Sequence, residues 1–137
     1  MAEYRMILID PETETITEHQ LSDAYQGMVA LIGEPDTIDT FRIADHGGTF
    51  DYGYVDDKGL SRGEPIHAFQ FIGRDDPVAG KCLIYGCEKH TGETCDAQFP
   101  LSTLTGLVRW LGKIVPEVTW TKNGLVDQAT VSWRKVQ

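Results

Sequence analysis

Cys82-x4-Cys87-x2-His90-x4-Cys95 brings four side chains of metal-binding chemistry into fourteen positions. Three thiolates and an imidazole are the donor set of a tetrahedral zinc site. The spacing is not that of paired Cys-x2-Cys knuckles, and Cys82 falls in the apolar run KCLIY, where cysteine acts as a small core residue. Free cysteines are the simpler reading, and no motif in the chain calls for a cofactor. A second set, Arg62, His67 and Arg74, surrounds an irregular middle segment, with Tyr52 and Tyr54 just before it. Guanidinium forks match phosphate, and aromatic faces match bases. Tyr54, Arg62, His67 and Arg74 are therefore candidate ligand-binding residues for a phosphorylated, base-bearing small molecule. Each taken singly also fits scattered surface charge.

Asp56 and Asp57 could hold a divalent cation, but acids followed by Gly59 read first as a turn, since glycine takes the positive φ that other residues resist. Gly47-Gly48 lacks the lysine and hydroxyl residue of a phosphate loop. His19, His46, His67 and His90 are dispersed, and no spacing pairs one with a nucleophile and an acid. A small hydrolase is thus the minority reading. The chain spells out no reaction.

Charge narrows the partners. The net charge is −9, and residues 1–64 carry 14 acidic and 4 basic side chains against 7 and 8 in residues 65–137. Such a first half repels a phosphate backbone, so direct nucleic-acid binding is disfavoured. A solvated acidic face is the bland account; a DNA mimic is the sharp one. No apolar run approaches the ~20 residues of a membrane span, and the N-terminus shows no basic segment followed by a long apolar one, so export is not expected. Three cysteines, an odd number, suit a reducing cytosol better than a disulfide framework.

The elements that must position these residues make one expected α+β domain over 1–137: a mostly antiparallel sheet, two main helices and a C-terminal β-hairpin. Tyr4 to Ile9 is nearly all apolar, as in a strand covered on both faces, and Asp10-Pro11 opens a turn into a return strand over 14–18. Leu21, Ala24, Tyr25, Met28 and Ile32 predict a helix capped by Ser22 and ended by Gly33, with Gly27 a weak point inside it. Strands are expected over 37–44, 50–55 and 81–85, while 65–72 fits either a helix or an irregular strand. Residues 87–95 form a polar excursion turning at Thr91-Gly92. Leu104, Leu107, Val108, Leu111 and Val115 predict a second helix stopping before Pro116, with Arg109 and Lys113 in its later turns. Asn123-Gly124 signals a two-residue hairpin loop that sets Trp120 opposite Asp127 and Val118 opposite Ala129. Trp110, Trp120 and Trp133 are all expected to be partly buried.

MILIDPETETIT, GMVALIG, YVDDKGL and VAGKCLIYG follow one another in an order that resembles a domain-of-unknown-function family of small proteins encoded by phages, plasmids and their bacterial hosts. In that family a strand ending in Asp-Pro-Glu, a helix ending in Gly, an Asp-Glu-x-Gly-like turn and a Val-x-Gly-Asp strand occur in succession. Asp56-Asp57-Lys58-Gly59 and Val78-Ala79-Gly80-Lys81 stand at the latter places, with Lys81 departing from the expected acid. The likeness covers residues 4–86, and 87–137 is a helix-plus-hairpin extension particular to this chain. It carries no catalytic residues over. What it implies is a mobile-element setting in the host bacterial cytosol, where small accessory proteins counter host defences. Three functions then stand as expectations. The first is a homo-oligomeric, non-catalytic sponge for a nucleotide immune signal; the second is an acidic inhibitor of a host defence or restriction protein; the third is the small hydrolase.

Overall fold

The structure is a computed structural model that describes residues 3–33, 38–56 and 64–136. Asp57, Gly59 and Arg62 of the sequence reading lie outside the described residues. The chain opens with β1 (Tyr4–Asp10), β2 (Thr15–Leu21), α1 (Ala24–Leu31), β3 (Ile38–Asp45) and β4 (Thr49–Asp56). It continues through β5 (Ile66–Phe71), β6 (Val78–Ala79), β7 (Cys82–Glu88), β8 (Thr94–Cys95), the helix α2 (Leu101–Leu107), β9 (Val108–Asn123) and β10 (Val126–Lys135). Among the described residues the molecule is mostly antiparallel sheet with two helices, and no helix is long and apolar enough to cross a membrane.

The strands form two sheets. The first runs β2-β1-β7-β4-β3, with β8 beside β7, and the second runs β10-β9-β5-β6. Alternation along the apolar strands assigns the layers. Ile7 and Ile9 of β1, Val55 of β4 and Cys82 and Ile84 of β7 face the second sheet and meet Phe69 and Phe71 of β5. Met6 and Leu83 point the other way and pack under Ala24 and Met28 of α1. The apolar run MILI is thus covered on both faces, as its composition required. Gly27 marks the closest approach of α1 to the sheet. A Cβ there would come within 2.8 Å of Leu21 and 3.1 Å of Leu83, so the helix tolerates a poor helix former to sit close.

Local chemistry accounts for the connections and corrects several expectations. The N-cap of α1 is Asp23, not Ser22: its carboxylate accepts from the Gln26 amide at 2.7 Å, because Leu21 is still paired with Tyr4 in β2. Gly33 ends that region at a φ of 111°. The ambiguous 65–72 segment is the strand β5. The second helix is the largest correction. It stops at Leu107, and Val108 to Val115, read as helical, are strand. Val108, Trp110 and Ile114 are β-branched or aromatic and pair with β5, and Val115 pairs with Arg134 of β10. Arg109 and Lys113 therefore lie opposite Gln70 and His67 in a sheet, not at a helix end.

Leu111 is an extra residue in that pairing, and Gly112 takes a φ of 70°. The bulge turns the strand over. Val108 and Trp110 pack toward the first sheet, whereas Leu111 and Ile114 pack away from it with Ala68, Ile66 and Trp133. Pro116, which has no N–H to give, comes just after the last pair with β5. From there β9 and β10 continue alone as a two-stranded ribbon. Its loop is Gly124-Leu125, one residue later than the Asn-Gly signal, with Gly124 at a φ of 69° in the glycine-first position of a tight turn. Trp120 faces Ala129 and Val118 faces Val131, so each expected partner moves by two and the faces are kept. Trp133 is half-buried, but Trp120 is 69% exposed because the ribbon runs past the body of the sheet.

Two glycines separate close packing from free space. A Cβ on Gly86 would overlap the carbonyl of Asp96, whereas one on Gly106 of α2 would meet nothing within 4 Å. Gly86→Ala should cost about 2 kcal/mol or more in denaturant unfolding. Gly106→Ala should stabilise by about 0.5–1 kcal/mol. Equal effects from the two substitutions would contradict this packing.

Candidate functional site

An open cleft of about 440 Å³ lies where the two sheets part, bounded by Asp39, Phe41, Val55 and Asp56 on one side and by Gly73 to Ala79 on the other. Its first wall is the β3–β4 edge. Phe41 pairs with Gly53, and a Cβ at Gly53 would lie 2.7 Å from the Phe41 ring. The missing side chain lets that ring lie across β4, where it also meets Phe71 edge-on at 6.1 Å. The second wall is the β5–β6 turn. Gln70 donates its side-chain amide to the carbonyls of Arg74 at 2.9 Å and Asp75 at 2.8 Å. The Arg74 amide bonds the Phe71 carbonyl at 3.0 Å, and Gly73 supplies a φ of 94°. The turn is therefore held in shape before any ligand arrives.

Arg74 crosses the cleft and sets its guanidinium 4.7 Å from the centre of the Phe41 ring, a cation–π contact. It makes no salt bridge to a carboxylate among the described residues. Asp39, Asp56, Asp75 and Asp76 line the same space. Among the described residues the carboxylates of Asp39, Asp75 and Asp76 outnumber the one guanidinium, which makes the cleft electronegative, and closeness to the low-dielectric core strengthens that field.

The candidate residues named from the sequence divide between surfaces. Arg74 and Asp56 share the cleft. Tyr54 sits on the opposite face of the first sheet, tilted against Tyr85 at 4.8 Å and bordering the α1 core. His67 is on β5 opposite Lys113, where its carbonyl accepts from Gly80 at 2.9 Å. Tyr54 and Arg74 therefore cannot grip one small molecule together. Among the described residues no three His, Cys, Asp or Glu side chains are placed to hold a metal ion. Cys82 is buried in the inter-sheet core, Cys87 and Cys95 lie on the paired β7 and β8, and His90 is exposed beyond them.

One pair escaped the sequence reading. Asp51, fully buried, accepts the backbone amides of Gln98 at 3.0 Å and Phe99 at 3.1 Å and lies 3.2 Å from Nε2 of His46. His46 in turn meets the Phe99 ring edge-on at 5.4 Å. A carboxylate orienting an imidazole is half of a nucleophilic triad. No serine, threonine or cysteine side chain among the described residues hydrogen-bonds the His46 ring, while the His46 amide donates to the Thr49 carbonyl at 2.9 Å. Alternation could have found Asp51: Val55 and Gly53 share its parity, which puts an acid on the inward face of β4.

Asp51→Ala should lose about 2–4 kcal/mol of stability, because it leaves two buried amides without acceptors. Asp51→Asn should lose less, since its Oδ1 can still accept from Gln98 and Phe99 and only its NH2 is set against a donor. His46→Gln should also cost clearly less than Asp51→Ala in the same denaturant titration. Thiol chemistry reports the core independently. Burial pushes the Cys82 thiol far above its ordinary range, and burial, then Cys87 and Asp51, raise Cys95 more modestly. A disulfide reagent at mildly alkaline pH should titrate two thiols in the folded protein, Cys95 the slower, and the third only in denaturant. Three thiols reacting together would displace Cys82 from the core. Comparison of the chain with family models, with curated proteins and with solved structures found no match in any of the three.

Proposed function

We propose that this chain is a non-catalytic, acidic binding protein whose inter-sheet cleft receives basic side chains of a protein partner. The observation that carries the proposal is the lining of the cleft: among the described residues Asp39, Asp75 and Asp76 line it beside one guanidinium, that of Arg74, which is stacked on Phe41. A lysine or arginine entering there gains several carboxylates at once, and the partner's own acids or carbonyls can meet Arg74. A phosphate entering the same space meets more negative than positive charge among the described residues, so Arg74 is poorly placed to hold a nucleotide. The excess of acid over residues 1–64 extends this field beyond the cleft and would steer a basic protein toward it. In the mobile-element setting that the sequence resemblance implies, such a partner is a host defence protein, and binding would inhibit by occlusion.

The test uses a defined probe. An arginine-glycine peptide added to isotopically labelled protein should shift the amides of Phe41, Arg74, Asp75 and Asp76. A glutamate-glycine peptide should not. Raising salt from about 50 mM to about 500 mM should weaken the complex steeply, because the attraction is between exposed charges. Asp39→Lys combined with Asp75→Lys should weaken it at least about tenfold, and both sites are exposed, so the fold should survive. Salt-insensitive binding, or shifts confined to a surface away from the cleft, would refute the proposal. So would adenosine monophosphate that shifts the Arg74 amide and is released by Arg74→Ala.

A further inference from the structure

The face of the first sheet opposite the cleft carries a row of aromatic rings. Phe50, Tyr52 and Tyr54 alternate along β4 on that face, and Tyr85 of β7 stands opposite Tyr52 in the pairing. The rings are continuous: Phe50 meets Tyr52 at 5.9 Å, Tyr52 stacks on Tyr85 at 5.8 Å with 22° between planes, and Tyr54 closes on Tyr85 at 4.8 Å. The α1 core borders Tyr54 and Tyr85, whereas Phe50 and Tyr52 are absent from it. No phenol hydroxyl of the three tyrosines has a hydrogen-bond partner among the described residues, although all three rings are partly buried. Three partly buried phenols grouped without partners leave hydrogen-bonding capacity facing outward.

Cations stand at the Phe50 end. The Arg42 guanidinium lies 4.9 Å and the Lys89 ammonium 4.4 Å from the centre of the Phe50 ring. Arg42 is also the cross-strand partner of Tyr52. It makes no salt bridge or hydrogen bond to a side chain among the described residues, although, with Lys89, its charge helps hold Asp45 ionised. Lys89 is shared with Asp45 at 2.6 Å, and Asp45 is the carboxylate an incoming anion would have to displace. Burial, then Tyr54, Cys87 and Tyr52, raise the Tyr85 phenol well above its ordinary range.

We infer that this face is a second binding site, separate from the cleft, for a small molecule that joins a planar aromatic ring to an anionic group, such as a nucleoside monophosphate. The ring stacks along Tyr52 toward Tyr85, and the phosphate reaches Arg42 and Lys89 beside Phe50. The cleft and the platform are on opposite faces of one sheet, so each can be emptied without touching the other.

Adenosine 5′-monophosphate is the probe, read by amide shifts and by calorimetry on the full chain. It should move the amides of Arg42, Phe50, Tyr52, Tyr85 and Lys89, with adenosine and inorganic phosphate each binding more weakly than the joined molecule. Arg42→Gln and Lys89→Gln are exposed changes that leave the fold intact, and each should weaken binding at least about fivefold. Tyr52→Leu should weaken it similarly while keeping an apolar side chain in the row. Asp45→Asn should have the opposite sign and tighten binding, because it frees Lys89, and no purely structural role predicts that gain. Asp75→Lys in the cleft should change nothing. The inference is overturned if the monophosphate fails to shift these amides, or if Arg42→Gln and Lys89→Gln bind it like the parent. It is equally overturned if a short single-stranded oligonucleotide occupies the face far more tightly than the monophosphate, since the site would then read a strand.

Discussion

A carboxylate cut off from water has to find its hydrogen bonds within the protein, and Asp51 finds them in a stretch of chain almost fifty residues away. The amides of Gln98 and Phe99 turn inward to reach it, and His46 closes the remaining side. The same stretch is tied to β1, where the Ala97 amide bonds the Arg5 carbonyl and the Arg5 side chain returns a bond to the Ala97 carbonyl at 2.7 Å. Arg5 also pairs with Glu18 of β2. A single connector thereby fastens β1, β2 and β4 together at the end of β7. Phe99, Leu101 and Leu104 can then be delivered to the core between the sheets. Without that fastening α2 would have no fixed entry angle, and β9, which follows it directly, would have no fixed register on β5.

The first sheet is consequently a rigid partition with different chemistry on each side. Toward the second sheet it offers Phe41 and a rim of aspartates at the cleft. Away from it, beyond the reach of α1, it offers tyrosines and cations. Both surfaces rest on the same strand, β4, whose alternation sends Asp51, Gly53 and Val55 inward and Phe50, Tyr52 and Tyr54 outward. Gly53 is the hinge between the two roles, since a side chain there would push Phe41 out from under Arg74.

Much of the architecture could be read along the chain. MILI and CLIY announced strands buried on both sides, Asp-Pro and Gly33 announced a turn and a helix end, and period-2 alternation announced β4. These are signals carried by neighbouring residues: turn chemistry, φ preference and the parity of apolar positions act over a few residues and need no partner. The unbalanced acid content of residues 1–64 belongs with them, because charge is a property of composition.

What only the tertiary structure decided involves partners distant in sequence. Leu104 to Val115 carries a helical apolar spacing, yet β5 and β10 take the later part as strand, because paired backbone and burial of Leu111 and Ile114 outweigh a short helix with Gly106 and Gly112 in it. The hairpin signal at Asn123-Gly124 was displaced by one residue on each strand, which alternation permits because a shift of two in the pairing keeps every face. Arg74 met Phe41, Asp51 met Gln98, and Tyr54 parted from Arg74 for a common reason. Each depends on which strand lies beside which, and strand order is set by the whole core.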